Sequence, residues 1–191
     1  MISIEDIIKD SINVKQLILS DKAFVKKINE AAAMCIDSLK NGGKVHFCGN
    51  GGSASDAQHL AAELSGRFYY DRPPLNAEAL HVNASYLTAV ANDYSFDMIY
   101  ARILQASAKK GDVLVAISTS GNSANVLKAM DMAKEIGVKT IGMTGEKGGK
   151  MANRCDVLLN VPSSCTPRIQ EAHIMIGHII CEIVEATIFP K

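Results

Sequence analysis

Lys44–Arg67, KVHFCGNGGSASDAQHLAAELSGR, reads as a strand, a glycine turn and a helix in unbroken succession. Lys44 to Cys48 alternates and ends in apolar residues, Gly49, Gly51 and Gly52 open backbone angles closed to other residues, and Ser53 stands where a helix N-cap would. Such a turn presents free N–H groups to an anion. The helix beyond it carries His59 and Glu63 four residues apart, so both side chains fall on one face about a turn below the turn's N–H groups. An anion-binding turn thus adjoins a pair suited to proton transfer.

Working outward, residues 4–41 are expected as helix, in one segment bearing Ile7, Ile8, Ile12, Val14, Leu17 and Leu19 and a second from Asp21 through Leu39, closed by Asn41-Gly42-Gly43. Their apolar faces need a partner, either the sheet or another copy of the chain, and residues 1–43 are expected as helices used in oligomer packing. After the opening stretch come a loop at Phe68–Leu75, a strand at Ala77–Val82, and helices at Ser85–Val90 and Ser95–Ala106 around a polar turn, Ala91-Asn92-Asp93. The grammar then repeats: a strand at Val113–Ile117, a polar loop from Ser118 to Ser123, and a helix at Ala124–Ile136 stopped by Gly137. Strands at Val138–Met143 and Val157–Val161 and a final helix from about Pro167 to Ile188 complete the chain. Alternating strands and helices predict an α/β fold, a parallel sheet covered by helices, with sites at the carboxyl ends of strands. Residues 1–191 form one domain on this reading, with helices over 1–43 and an α/β core over 44–191.

Composition removes several classes. Lys+Arg and Asp+Glu balance at 20 each with no basic run, which argues against a nucleic-acid partner. No apolar stretch approaches the roughly 20 residues of a membrane helix, and MISIEDIIKD lacks the order of a secretory signal, so a cytoplasmic protein is expected. Cys35, Cys48, Cys155, Cys165 and Cys181 are odd in number and never spaced as CxxC, which favours thiols over disulfides or a zinc knuckle.

Gly49–Ala54 also fits the dinucleotide pattern G-x-G-x-x-A, but the next strand ends at His81-Val82-Asn83 without the acidic residue that would hold a ribose. Gly148-Gly149-Lys150 runs into Met151 and is no P-loop. No nucleotide cofactor is expected. Ser118, Thr119, Ser120 and Ser123 place four hydroxyls beside a helix N-terminus, a set that suits a phosphate monoester; capping the helix would need only one of them. His59 and Glu63 admit a plainer account, because Glu63 and Arg67 are also four apart and could form a surface ion pair. Gln170, Glu171, His173 and His178 on the last helix weigh against that account.

Together, CGNGGSASDAQHLAAEL, the AND at 91–93, STSGNSANV from 118, and RIQEAH with His178 make the chain resemble the phosphoheptose isomerases, a branch of the sugar-isomerase (SIS) domain family. The resemblance covers nearly the whole chain. It implies a three-layer SIS sandwich preceded by two helices, and interconversion of sedoheptulose 7-phosphate and D-glycero-D-manno-heptose 7-phosphate through an enediol, at the head of nucleotide-heptose supply for surface polysaccharide. It further implies a homotetramer with sites at subunit contacts. By position, Glu63 becomes the base moving a proton between C1 and C2 and His178 its acid or base partner. Asn50, Gly51, Gly52, Glu63, Asn92, Asp93, Ser118, Thr119, Ser120, Ser123 and Gln170 become substrate contacts. For some members the resemblance implies one Zn²⁺ per subunit at positions matching His59, Glu63, Gln170 and His178.

Gln170 and His178 are eight residues apart, roughly 12 Å along a straight helix, so one ion bridging both would strain. Either some of these groups act in sites shared between chains or Gln170 touches substrate. Two departures from the family pattern stand out: His81-Val-Asn-Ala-Ser85, and Thr166-Pro167 before Arg168, where Thr166 suits an N-cap and Pro167 a first helical position. The competing class is a noncatalytic SIS protein that binds a sugar phosphate or a protein partner, of the replication-initiation regulator type. Those proteins lack the carboxylate that this chain has at Glu63.

Overall fold

Strand β3 (Val113–Ile117) is buried at every residue, and its side chains serve two different cores: Val113, Val115 and Ile117 join one cluster, Leu114 and Ala116 the other. A sheet so placed must be covered on both faces. The computed structural model describes residues 3–191. In order it holds α1 (Ile4–Ser20), α2 (Lys22–Lys40), β1 (Val45–Gly49), α3 (Gly52–Ser65), β2 (Ala77–Ala79), α4 (Ala84–Asp93), α5 (Ile99–Ser107), β3, α6 (Ala124–Ile136), β4 (Lys139–Thr144), β5 (Val157–Asn160) and α7 (Thr166–Ile188). The five strands form one parallel sheet in the order β2-β1-β3-β4-β5. One face packs on α1, α2, α3 and α7, and the other on α4, α5 and α6. This is the expected three-layer α/β architecture.

The order places the reversal between β1 and β3, whose register runs from Val45↔Val113 to Gly49↔Ile117. In open parallel sheets the crevice outside the strand ends at such a reversal is where ligands bind. The glycine turn and the Ser118 loop therefore open side by side.

The leading helices divide their labour. Asp21 ends α1 and caps α2, its carboxylate accepting the Ala23 (2.9 Å) and Phe24 (3.0 Å) amides. From α2, Phe24, Ile28, Ala31, Ala32 and Cys35 enter the core, whereas α1 buries only Val14 and Ile18. Ile4, Ile8, Ile12 and Leu19 remain exposed on α1.

Beyond shifts of one to a few residues, as at α5 and β4, local structure differs from the sequence expectation at four points. β2 stops at Ala79: the Leu80 amide makes the last bond to β1, at the Phe47 carbonyl, and the chain then turns off the sheet edge. Asn92 and Asp93 are the last turn of α4 and not a separate turn: the helix, capped by the Asn83 side chain at Tyr86 N (3.0 Å), ends only where the Tyr94 amide bonds the Val90 carbonyl. At the opening turn the N-cap is Gly51 (φ +56°), a conformation reserved largely for glycine, and Ser53 lies buried inside α3. Cys165, not Thr166, is the N-cap residue of α7.

Candidate active site

His59 and Glu63 sit on successive turns of α3 with His59 Nε2 and Glu63 Oε1 2.9 Å apart, as their spacing predicts. The His178 ring, from α7, lies edge-on to the His59 ring at 5.0 Å. One ligand atom from each of His59, Glu63 and His178 falls within 4.8 Å of the other two. Two imidazoles and a carboxylate at that spacing fit a Zn²⁺ ion bound by three protein ligands with a fourth position open. All three come from one chain.

Gln170 stands elsewhere. α3 and α7 pack side by side in the same direction, so Gly52 meets Gln170, and Leu60 meets Gly177. A Cβ at Gly52 would collide with the Gln170 amide, so glycine there makes room for the side chain. Gln170 thus lies at the glycine turn, seven residues or roughly 10 Å up the helix pair from His59.

Gly177 is what brings the helices close. A Cβ on it would lie 2.5 Å from Leu60 Cδ1 and 2.6 Å from Cδ2, and Leu60 is itself buried. Small residues permit such an approach, and here the approach sets His178 against His59.

At the reversal, Asn50 on the glycine turn and Asn125 on α6 exchange two amide hydrogen bonds, Asn50 Nδ2 to Asn125 Oδ1 (2.8 Å) and Asn125 Nδ2 to Asn50 Oδ1 (2.9 Å). Asn125 is buried and also accepts the Val126 amide (2.9 Å). The two loops are therefore one unit. Gly51 and Gly52 lie exposed at its rim.

In the second loop, Ser118 and Ser123 hydroxyls meet at 2.9 Å and Ser118 and Ser120 at 3.4 Å. Ser123 is the N-cap residue of α6, yet its hydroxyl caps no amide. The hydroxyls are thus held together at a helix N-terminus without being consumed by it. Thr119 and Ser120 also line a cavity of about 280 Å³ whose far wall is Gly145, Glu146, Lys147, Gly148, Ser163 and Thr166. Sequence reasoning missed that wall, which the adjacency of β3, β4 and β5 supplies through the segments after β4 and β5.

Asn92 and Asp93 are exposed at the end of α4 and bond each other (2.9 Å). Among the described residues, no side-chain hydrogen bond joins them to the Ser118 loop or to Glu63. One carboxylate absent from the sequence reading does join the site. Asp56 lies on α3 one turn before His59, half buried, with Oδ2 out of solvent and without a hydrogen bond. Burial raises its pKa against the pull of His59 and His178. The i, i+3 spacing to His59 was the available signal. His81, half buried in the turn after β2, has an unpartnered Nδ1, and burial lowers its pKa.

Fold and site together define the class. Residues 13–145 match the SIS domain family, and the chain is a SIS-domain protein. Its relatives narrow that class: it is 52% identical over 182 residues to a phosphoheptose isomerase of Aneurinibacillus thermoaerophilus, covering 95% of this chain and 92% of that protein. Among solved structures it resembles the phosphoheptose isomerase of Neisseria gonorrhoeae, with a TM-score of 0.89 and 44% identity over 96% of this chain and 97% of that one. The Francisella tularensis enzyme of the same name gives a TM-score of 0.90 at 38% identity, over 96% and 98% of the two chains. The chain belongs to the phosphoheptose isomerase family.

Proposed function

We propose that the chain interconverts sedoheptulose 7-phosphate and D-glycero-D-manno-heptose 7-phosphate, in the cytoplasm, supplying the heptose that is later nucleotide-activated for surface polysaccharide. The observation that carries this reading is the convergence of Glu63 with His59 and His178, on and against the helix that the glycine turn opens, in a chain of this family. Ser118, Thr119, Ser120 and Ser123, with the α6 N-terminus, hold the phosphate through neutral donors. Asn50, Gly51, Gly52, Asn92, Asp93 and Gln170 hold the open sugar chain; Asn50 does so chiefly by fixing the turn, its amide being engaged with Asn125.

Glu63 takes the proton from C1 of the ketose and returns it to C2, and His178 gives and takes the proton on the carbonyl and hydroxyl oxygens. Fixing the phosphate keeps C1 and C2 over the carboxylate, which removes much of the entropic part of the barrier. His59, Glu63 and His178 are the residues that would hold Zn²⁺, with Gln170 further up the helix pair. When bound, the ion supplies Lewis-acid polarisation of the carbonyl and order among its ligands. The exposed apolar residues on α1 support assembly of copies into the homotetramer.

The test is to incubate the protein with sedoheptulose 7-phosphate, with and without zinc, and follow the aldose by NMR. Glu63→Gln is expected to lower kcat by ~10²- to 10⁴-fold. A folded wild-type protein that yields no aldose under either condition would sink the reading.

A further inference from the structure

Glu185 stands in the last turns of α7 among Ile180, Ile183, Val184 and Ile188. Its side chain is 1% exposed and forms an ion pair with Arg72, 2% exposed, at 3.0 Å. Replacing a buried ion pair by apolar groups of similar volume is often neutral or stabilising, so stability alone does not account for this one. The hydrogen bonds do. The Phe68 and Tyr69 amides donate to Glu185 Oε1 (2.9 Å) and Oε2 (2.8 Å). Arg72 Nη1 donates to the carbonyls of Leu64 (2.7 Å), Gly66 (2.9 Å) and Pro73 (3.1 Å), and Nη2 to that of Glu63 (2.8 Å). All six backbone groups belong to the C-terminal end of α3 and the loop behind it.

Two of these contacts bear on the site. The Glu63 carbonyl belongs to the residue assigned as base, in the fraying end of its helix. Phe68, held at its amide by Glu185, sets its ring 5.7 Å from the His178 ring at 48°. The guanidinium suits the task because its planar fork serves several carbonyls at once and its charge sits at a helix C-terminus. A lysine would keep the charge and lose the fork.

We propose that Arg72 and Glu185 are positioning residues for the isomerase reaction, locking the end of α3 and the Phe68 loop so that the Glu63 carboxylate and the His178 imidazole face the substrate in register. The inference rests on the isomerase reading above. Neither residue touches the hydroxyl loop, so it separates orientation at C1 and C2 from phosphate binding.

The test compares wild type, Arg72→Lys and Phe68→Leu with sedoheptulose 7-phosphate, unlabelled and deuterated at C1. Arg72→Lys is expected to lower kcat tenfold or more with KM within twofold, and to enlarge the primary deuterium effect on kcat because proton transfer becomes slower. A purely structural role would lower the melting temperature and leave kcat per folded molecule and the isotope effect unmoved. Phe68→Leu, a half-buried substitution, carries the test if Arg72→Lys does not fold: the same kcat loss and isotope signature are expected at nearly unchanged melting temperature. Wild-type kcat in folded Arg72→Lys, or in Phe68→Leu where Arg72→Lys fails to fold, overturns the proposal alone. Absence of turnover by wild type removes the isomerase reading and this inference with it.

Discussion

Ser123 begins α6 without capping it, and its hydroxyl turns instead to Ser118 at 2.9 Å. A hydroxyl withheld from the cap is one available to a ligand, and this geometry supports the proposed phosphate role of the loop better than a count of serines does. His173 shows the opposite fate of a polar side chain. It lies fully buried on α7, meets the Thr144 carbonyl through Nε2 at 3.1 Å, and leaves Nδ1 unpartnered. Burial lowers its pKa to about 4, although the Thr144 bond opposes that shift. The folded state therefore keeps it neutral while the unfolded chain binds a proton below the ordinary value of 6.5. This contribution is complete above pH 6.5 and is lost as pH falls toward 4, at up to about 1.4 kcal/mol per pH unit. His46, lowered by burial against the pull of Asp112, acts in the same direction. Urea unfolding at pH 7 and pH 5 checks this: His173→Asn, which retains a donor for Thr144, is expected to show a shallower loss than wild type. Equal slopes would remove His173 from the account.

At the scale of elements, the decisive pair is α3 and α7. Their parallel packing turns two separate helical patterns into one row of side chains, with Gln170 at the glycine turn and His178 beside His59 and Glu63. Gly177 sets the distance. Gly177→Ala would gain up to ~1 kcal/mol of helix propensity but force Leu60 to move within a packed core, where overpacking costs about 1–3 kcal/mol. We expect a net loss of about 1 kcal/mol in chemical denaturation, together with reduced turnover, because the helices part where His178 meets His59. A variant as stable and as active as wild type would show that Leu60 relocates freely and that the close approach is unnecessary. The same pair explains the metal geometry: the eight-residue gap between Gln170 and His178 is real distance along α7, and the cluster of His59, Glu63 and His178 forms without spanning it.

At the scale of the whole molecule, α1 carries an exposed apolar face. Ile4, Ile8 and Ile12 are 70%, 53% and 50% exposed and, spaced four apart, form one stripe. An apolar stripe on a helix that buries only Val14 and Ile18 within its own chain suits contact with another copy. If copies assemble as proposed, Ile8→Asp and Ile12→Asp are each expected to shift the homotetramer toward smaller species in light scattering, without altering the helical content of the subunit. An unchanged mass for both variants would place the interface elsewhere. Among the described residues no helix is long and apolar enough to cross a membrane.

What the sequence determined by itself was local or periodic. The His59–Glu63 pair follows from the helical repeat, the glycine turn from residues that accept unusual backbone angles, and the two-faced burial of β3 from its continuous apolar run. The cluster of hydroxyls from Ser118 to Ser123 was legible as well, though His178 was joined to Glu63 only through the family resemblance and not by any periodicity. Tertiary structure decided the rest. The reversal that sets the Gly49 turn beside the Ser118 loop, the Asn50–Asn125 exchange across 75 residues, and the Arg72–Glu185 clamp across 113 depend on which strands and helices become neighbours. That choice is made by how apolar faces pack over the sheet, a cooperative property of the whole chain that no window of residues carries.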